Sequence, residues 1–335
     1  MLHQRFGDVR ILEQQYPSAK AWVDLIIGLA GDDRLWNTGF QLGDWLDPAA
    51  PPHDPAAGLT DKHLVASAYL VHSTRTLAET AARIGSPRDA EHYAAIAEEA
   101  RLAFVAEYVR DDGSMTSDAQ TAYALAIVFD LIRGEQAQLA GSRLAQLVRD
   151  GGNRIATGFA GTPVITDALT MTGHIDTAYD LLLERGCPSW LYTVDQGATT
   201  IWERWDSMLP DGTVNPGEMT SFNHYALGAV ADWMHRDIAG LAPTAPGYRT
   251  VRVRPTPGGG LTSASAEHES PYGRIAVAWR IVETRFELEV TLPTGVSGHV
   301  ELPDGTSLAV ASGTLIATCE LLAPPGAVGA GPLHR

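Results

Sequence analysis

Apolar positions recur three and four residues apart through most of residues 1–243, the spacing of one helix face. YPSAKAWVDLIIGLA (16–30) opens beside Pro17, which suits a first helical turn, and stops at Gly31. TDKHLVASAYLVHSTRTLAETAARIG (60–85) begins with a threonine cap and again ends at glycine. SPRDAEHYAAIAEEARLAFVAEYV (86–109) starts from a Ser-Pro cap and keeps an apolar stripe through Tyr93, Ile96, Ala100 and Phe104. The segments 117–132, 134–152, 162–173, 174–186 and 221–241 also read as helices. Helices in succession, joined by short or Gly-rich links, predict stacked helix pairs. No fixed-period repeat runs through them, which argues against a repeat solenoid. A closed toroid of α-hairpins is the alternative, with alternate helices forming an inner ring and the loops at one end making a cleft.

The period changes near residue 244. YRTVRVRP, GRIAVAWRIV, RFELEVTLP, GHVELP and TLIATCELL alternate apolar with polar residues and are separated by PGGG, SPYG, PTGVSG and PDG. That pattern predicts antiparallel strands in a small β-sandwich over 244–322. The last stretch, 323–335, is rich in Pro, Gly and Ala and reads as a disordered tail. The expected fold class is therefore mainly α with a β appendage.

Composition narrows the function. The 335 residues carry 24 Lys+Arg against 40 Asp+Glu, a formal charge of −16. Such a surface repels a phosphate backbone and has no basic stripe, so nucleic acid is not an expected partner. No apolar run reaches the ~20 residues that span a bilayer, so no membrane association is expected. The first residues hold no apolar signal-peptide core, from which a cytoplasmic location is expected. Cys187 and Cys319 lie far apart and form neither a disulfide framework nor a zinc motif. No metal or other cofactor is implied.

Polar residues gather around large aromatic rings. NTGFQLGDWLDP holds Asp44, Trp45 and Asp47; DGSMTSDAQTAYAL holds Asp112, Asp118, Gln120 and Tyr123. SWLYTVDQGATTIWERWD holds Trp190, Tyr192, Asp195, Trp202, Glu203, Trp205 and Asp206, and SFNHYA holds Asn223, His224 and Tyr225. Phosphate-cradling glycine loops and Ser–His–Asp elbows are absent. Carboxylates beside indoles suit sugars, whose apolar faces stack on rings and whose glycosidic bonds are broken by carboxylate pairs. A neighbouring Trp202 would also tend to raise the pKa of a carboxyl group. Structural roles compete with this reading: Asp44 and Asp47 as turn and cap residues with Trp45 in the core, Asp118 as a helix cap, His224 as a core histidine. Glu203, hemmed by two tryptophans, is hardest to explain structurally.

The series GDWLDP, TSDAQTAYALAIVFDLI, GNRIATGFAGTPVITDALTMTGHIDTAYDLLL and GATTIWERWD followed by SFNHYALGAV resembles glycoside hydrolase family 78, the α-L-rhamnosidases, over about residues 1–320. The resemblance implies an (α/α)6 toroid, incomplete at its N-terminal side, over 1–243, followed by the family's C-terminal β-sandwich. It implies inverting hydrolysis of terminal α-L-rhamnosyl linkages in a rhamnose-containing glycoside. Glu203 then matches the general base that activates water, and His224 a histidine that contacts the sugar. Trp45, with Asp44 beside it in GDWL, and Trp202 match substrate-binding positions, the indoles packing on rhamnose and its methyl group. The family's general acid, a glutamate in D-E-R-x-G-W-x-G-D, has no counterpart in this chain. Three expectations follow: a complementary chain or N-terminal portion supplies the acid, another carboxylate such as Asp44 or Asp118 replaces it, or the chain is an impaired homologue acting as a rhamnose-binding or assembly module.

Overall fold

The computed structural model describes residues 2–51 and 53–321, so the expected tail at 323–335 lies outside the described residues. The chain divides into two compact units, Val9–Ala231 and residues 2–8 together with those from Asp232 onward. The first unit is helical. It runs through α2 (Arg10–Ala30), which follows a short α1 (Leu2–Phe6), then α3 (Lys62–Arg83), α4 (Pro87–Tyr108), α5 (Gln120–Val128) and α6 (Glu135–Asp150). α7 (Ile165–Met171), α8 (Ile175–Leu183) and α9 (Trp190–Asp195) complete it.

α5 is buried from Gln120 through Ile127 and forms the unit's centre, as its uninterrupted apolar run QTAYALAIV dictates. α6 and α7 pack against it, while α2, α3 and α4 stack in sequence. The predicted helices differ from these mostly at their ends. α2 begins at Arg10, so Pro17 lies inside the helix rather than in its first turn. α3 is capped by Asp61, whose Oδ1 accepts from the His63 N–H at 2.6 Å and the Leu64 N–H at 3.4 Å. Thr60, the expected cap, is buried with its hydroxyl unpartnered.

The predicted helix 221–241 is the largest departure. The His224 N–H donates to Ile201 O at 2.8 Å, which holds residues 221–225 against the 200–203 segment instead of in a helical turn. A 3₁₀ turn at Ala226–Ala229, a single α-turn α10 (Val230–Trp233) and a π-turn at Met234–Ile238 follow.

The second unit holds two four-stranded sheets built from β1 (Leu241–Pro243), β2 (Thr250–Val253), β3 (Ser263–Ser270), β4 (Gly273–Val282), β5 (Arg285–Leu292), β6 (Ser297–Glu301), β7 (Ser307–Val310) and β8 (Gly313–Glu320). One sheet has the order β3-β4-β5-β8 and is antiparallel throughout. The other has the order β1-β2-β6-β7, and here the expectation of purely antiparallel strands is corrected: β2 and β6 run parallel, Val251 opposite Gly298. Alternate residues such as Val277, Trp279, Leu288 and Val290 are buried, the period-2 pattern that identified the strands. α1 belongs to this unit because the Arg5 guanidinium donates to the Tyr248 hydroxyl and to Asp232.

The caps yield a direct test. Asp61→Ala should lower stability by about 1 kcal/mol, whereas Thr60→Val, which removes an unpartnered buried hydroxyl, should be neutral or stabilising. Urea unfolding midpoints of the two variants decide between the two caps.

Candidate active site

The site grows from one buried carboxylate. Asp44 is completely buried, and four donors converge on it. Its Oδ2 accepts from the Thr121 hydroxyl and from the Gly158 N–H at 2.7 Å. Its Oδ1 accepts from the N–H groups of Ala160 at 2.9 Å and Gly161 at 3.0 Å. The fourth amide of the run, Phe159 N–H, donates to Trp45 O at 2.9 Å. Four consecutive amides of the loop after Thr157 are thus spent on the Asp44–Trp45 dipeptide. The approach is so close that a Cβ at position 158 would collide with the Asp44 and Trp45 carbonyl oxygens. At position 161 it would collide with the Thr121 hydroxyl.

This tie fixes two rings. Trp45 and Phe159 both line an open cavity of about 770 Å³, together with Trp36, Phe40 and Tyr69. Phe159 carries His224, whose imidazole stacks on it with centroids 4.8 Å apart and planes 21° from parallel. Tyr225 extends the stack beyond His224 at 5.6 Å and 3°.

Glu203 reaches the same neighbourhood through the backbone. Its N–H donates to Ser221 O at 2.8 Å, and the Ser221 N–H returns a bond to Glu203 Oε2 at 3.2 Å. The His224 N–H then donates to Ile201 O, so Glu203 and His224 lie on two paired segments. Among the described residues no donor reaches Glu203 Oε1.

Two expected substrate-binding positions need correction. Asp44 has no exposed surface, and its oxygens are already engaged by four donors, so it organises the loop behind the cavity rather than touching a ligand. Trp202 is only 3% exposed and meets Phe222 edge-on at 5.1 Å, which makes it a packing residue and not an open wall. Trp45 and His224 are each half-buried and remain available. Asp47 is a turn residue, accepting from the N–H groups of Ala49 and Leu59.

The same facts remove two candidates for a substitute acid. Asp44 cannot reach a substrate. Asp118 is held below its ordinary pKa by the Arg143 guanidinium, which donates to it at 2.9 Å, and is ionised at neutral pH. It caps no helix; Tyr123 OH donates to it instead. Trp190, Tyr192 and Trp205 are core residues, and Asp195 pairs with Arg185 at the surface.

Residues 1–238 match the family described as the bacterial alpha-L-rhamnosidase six-hairpin glycosidase domain, and residues 240–315 match the bacterial alpha-L-rhamnosidase C-terminal domain. The chain belongs to the bacterial α-L-rhamnosidase family. An α-L-rhamnosidase of Streptomyces avermitilis is 39% identical over 302 residues, a match covering 90% of this chain and 28% of that protein. Another, from Formosa agariphila, is 37% identical over 307 residues, covering 91% of this chain and 33% of that one. Among solved structures, the native α-L-rhamnosidase of Aspergillus terreus superposes with a TM-score of 0.91 at 40% identity, covering 94% of this chain and 37% of that one. The Streptomyces avermitilis enzyme complexed with L-rhamnose gives 0.88 at 36% identity, covering 95% and 32%. The chain therefore spans about a third of the length of these rhamnosidases.

Phe159, Thr121 and Ser221, which build this candidate site, were not candidates from the sequence. The GFAGTP run did carry a signal: two glycines flanking an aromatic, in a chain whose buried aspartate needs amide donors.

Burial raises the Asp44 pKa from 3.8 to about 6, the hydrogen bonds from Thr121, Gly158 and Gly161 offsetting only part of the desolvation. Between those values the unfolded chain releases a proton that the folded chain keeps, so this group's stabilisation is present below the unfolded pKa and is lost as pH rises through about 6. Asp44→Asn, which turns an amide toward two of the donors, should cost roughly 2–4 kcal/mol at pH 4. Its deficit relative to the parent should narrow by up to about 3 kcal/mol by pH 7. Denaturant titrations across that range check the sign; a widening deficit would mean that the donors outweigh burial.

Proposed function

We propose that this chain carries the base half of an inverting α-L-rhamnosidase site, with Glu203 as general base. The observation that carries the reading is the state of the Glu203 carboxylate. One oxygen is fixed by the Ser221 N–H, while the other has no protein donor among the described residues and is open to a water. In the reaction that water attacks the anomeric carbon, Glu203 Oε1 takes its proton, and the C1–O bond breaks on the opposite side of the ring. Trp45 and the Phe159–His224 stack would supply the apolar wall for the deoxy sugar, with His224 Nε2 available to its hydroxyls while Nδ1 accepts from the Ala226 N–H at 3.4 Å. That the similar Streptomyces avermitilis enzyme forms a complex with L-rhamnose supports the substrate class.

The leaving oxygen needs a proton, and the family's acid motif is absent from the sequence. A complementary chain or N-terminal portion is the proposed source. A second reading, a rhamnose-binding or assembly module, is favoured by a specific feature of α2. Trp22, Leu25 and Leu29 fall on one helical face and are about half exposed, and Trp22 lines the same cavity as the exposed Phe40 and Leu42. Such a face is suited to an apolar helical partner.

Leaving-group chemistry separates the readings. The purified chain should hydrolyse an aryl α-L-rhamnoside whose phenolate departs unprotonated, and should be slower by about 10²–10⁴-fold on an alkyl rhamnoside. Glu203→Gln should abolish turnover of the aryl substrate. Undiminished turnover in that variant would move the base elsewhere. Saturable L-rhamnose binding without turnover of either compound would favour the binding module.

A further inference from the structure

We propose that Asp206 and Asn215, acting through Arg204, are positioning residues that set Glu203 and His224; the inference rests on the role given to Glu203 above. The two segments that carry these groups are joined at both ends. At one end Thr200 Oγ1 donates to Phe222 O, His224 N–H to Ile201 O, and Glu203 and Ser221 exchange two bonds. At the other end Asn215 N–H donates to Ser207 O at 2.9 Å, and Met208 bridges Val214. Between them, among the described residues, no backbone–backbone hydrogen bond crosses from 216–220 to 204–206.

A side-chain clasp spans that gap. Arg204 places Nε on Asp206 Oδ1 at 2.7 Å and Nη2 on Oδ2 at 3.2 Å, the planar fork that arginine makes with a carboxylate. Its Nη1 reaches across to Glu218 O at 3.3 Å. From the opposite segment, Asn215 Nδ2 donates to Asp206 Oδ2 at 2.9 Å and to Asp206 O at 3.1 Å. Asn215 Oδ1 meanwhile accepts from the Gly217 N–H at 2.9 Å and shapes the turn.

Packing alone does not hold this loop. Arg204, Trp205, Asp206, Glu218 and Met219 line a cavity of about 120 Å³, so the loop has open space against it. Met219 also sits at φ 57°, in the left-handed region that side chains other than glycine rarely adopt, a conformation that persists only when its surroundings impose it. Two residues further on, Ser221 meets Glu203. Slack at 215–219 is therefore transmitted to the bond that orients the Glu203 carboxylate and to the segment that carries His224.

Asn215→Asp keeps the acceptor for Gly217 and removes both donors to Asp206; Asp206→Asn weakens the Arg204 fork. Amide hydrogen exchange at Glu203, Ser221 and His224 should quicken by at least about tenfold in each variant, with exchange in α5 unchanged. L-rhamnose affinity, measured by calorimetric titration, should fall by about fivefold or more. The double exchange Asp206→Asn with Asn215→Asp restores a donor facing an acceptor beside Arg204 and should recover most of both losses. Parental exchange rates at 203, 221 and 224 in the single variants would overturn the proposal, as would a double variant no better than the sum of the singles. Parent protein that fails to bind L-rhamnose would count against the proposed function, while the exchange rates would still judge the clasp.

Discussion

The candidate site depends on one constraint: a carboxylate with no access to water must find its hydrogen bonds inside the protein. Asp44 finds them in the Thr121 hydroxyl and three backbone amides of the loop after Thr157. Leaving such donors and acceptor unmatched in a buried place costs far more than the bonds gain over water, so the loop has little freedom to move away. The amide that Asp44 does not take, that of Phe159, goes to the carbonyl of Trp45. One buried carboxyl group therefore fixes the relative position of two aromatic rings facing the same cavity. Because Phe159 supports His224, the constraint extends to the segment that pairs with Glu203.

The candidate site is divided between a rigid part and a looser part. The Asp44 network is anchored on α5, the most buried helix of its unit, through Thr121. Glu203, by contrast, lies in a region of turns and short pairings, where orientation is left to the Ser221 contacts and to side chains around Arg204. The general base proposed for Glu203 must face its water with little angular error, and a loop-borne carboxylate meets that demand only if the loop is itself held.

How far all this was legible in the sequence can be judged residue by residue. Helices α2 to α8 and strands β2, β4, β5, β6 and β8 followed from periodicity, because period 3.6 and period 2 reflect burial directly, whereas the short α9, β1 and β7 and the polar β3 were not expected. Glu203, Trp45 and His224 stood out as a carboxylate, an indole and an imidazole in loops or at a helix start. Their geometric relation did not, since Phe159 links Trp45 to His224 from a segment more than sixty residues away from His224 and more than a hundred from Trp45. Asp44 and Trp202 drew attention for the right chemical types and the wrong exposure: whether a polar or aromatic side chain faces a cavity or the core depends on packing that local sequence does not encode. The helix expected at 221–241 failed for a similar reason, because a long-range bond from His224 to Ile201 outcompeted helical propensity.

The most direct test is a crystal structure of this chain grown with L-rhamnose. The account predicts the pyranose against Trp45, within reach of His224, with Glu203 Oε1 facing the anomeric carbon across one water and the Asp44 loop unmoved. A sugar bound elsewhere on the chain with the Trp45 cavity empty, or seated there with Glu203 turned away from the anomeric carbon, would contradict it.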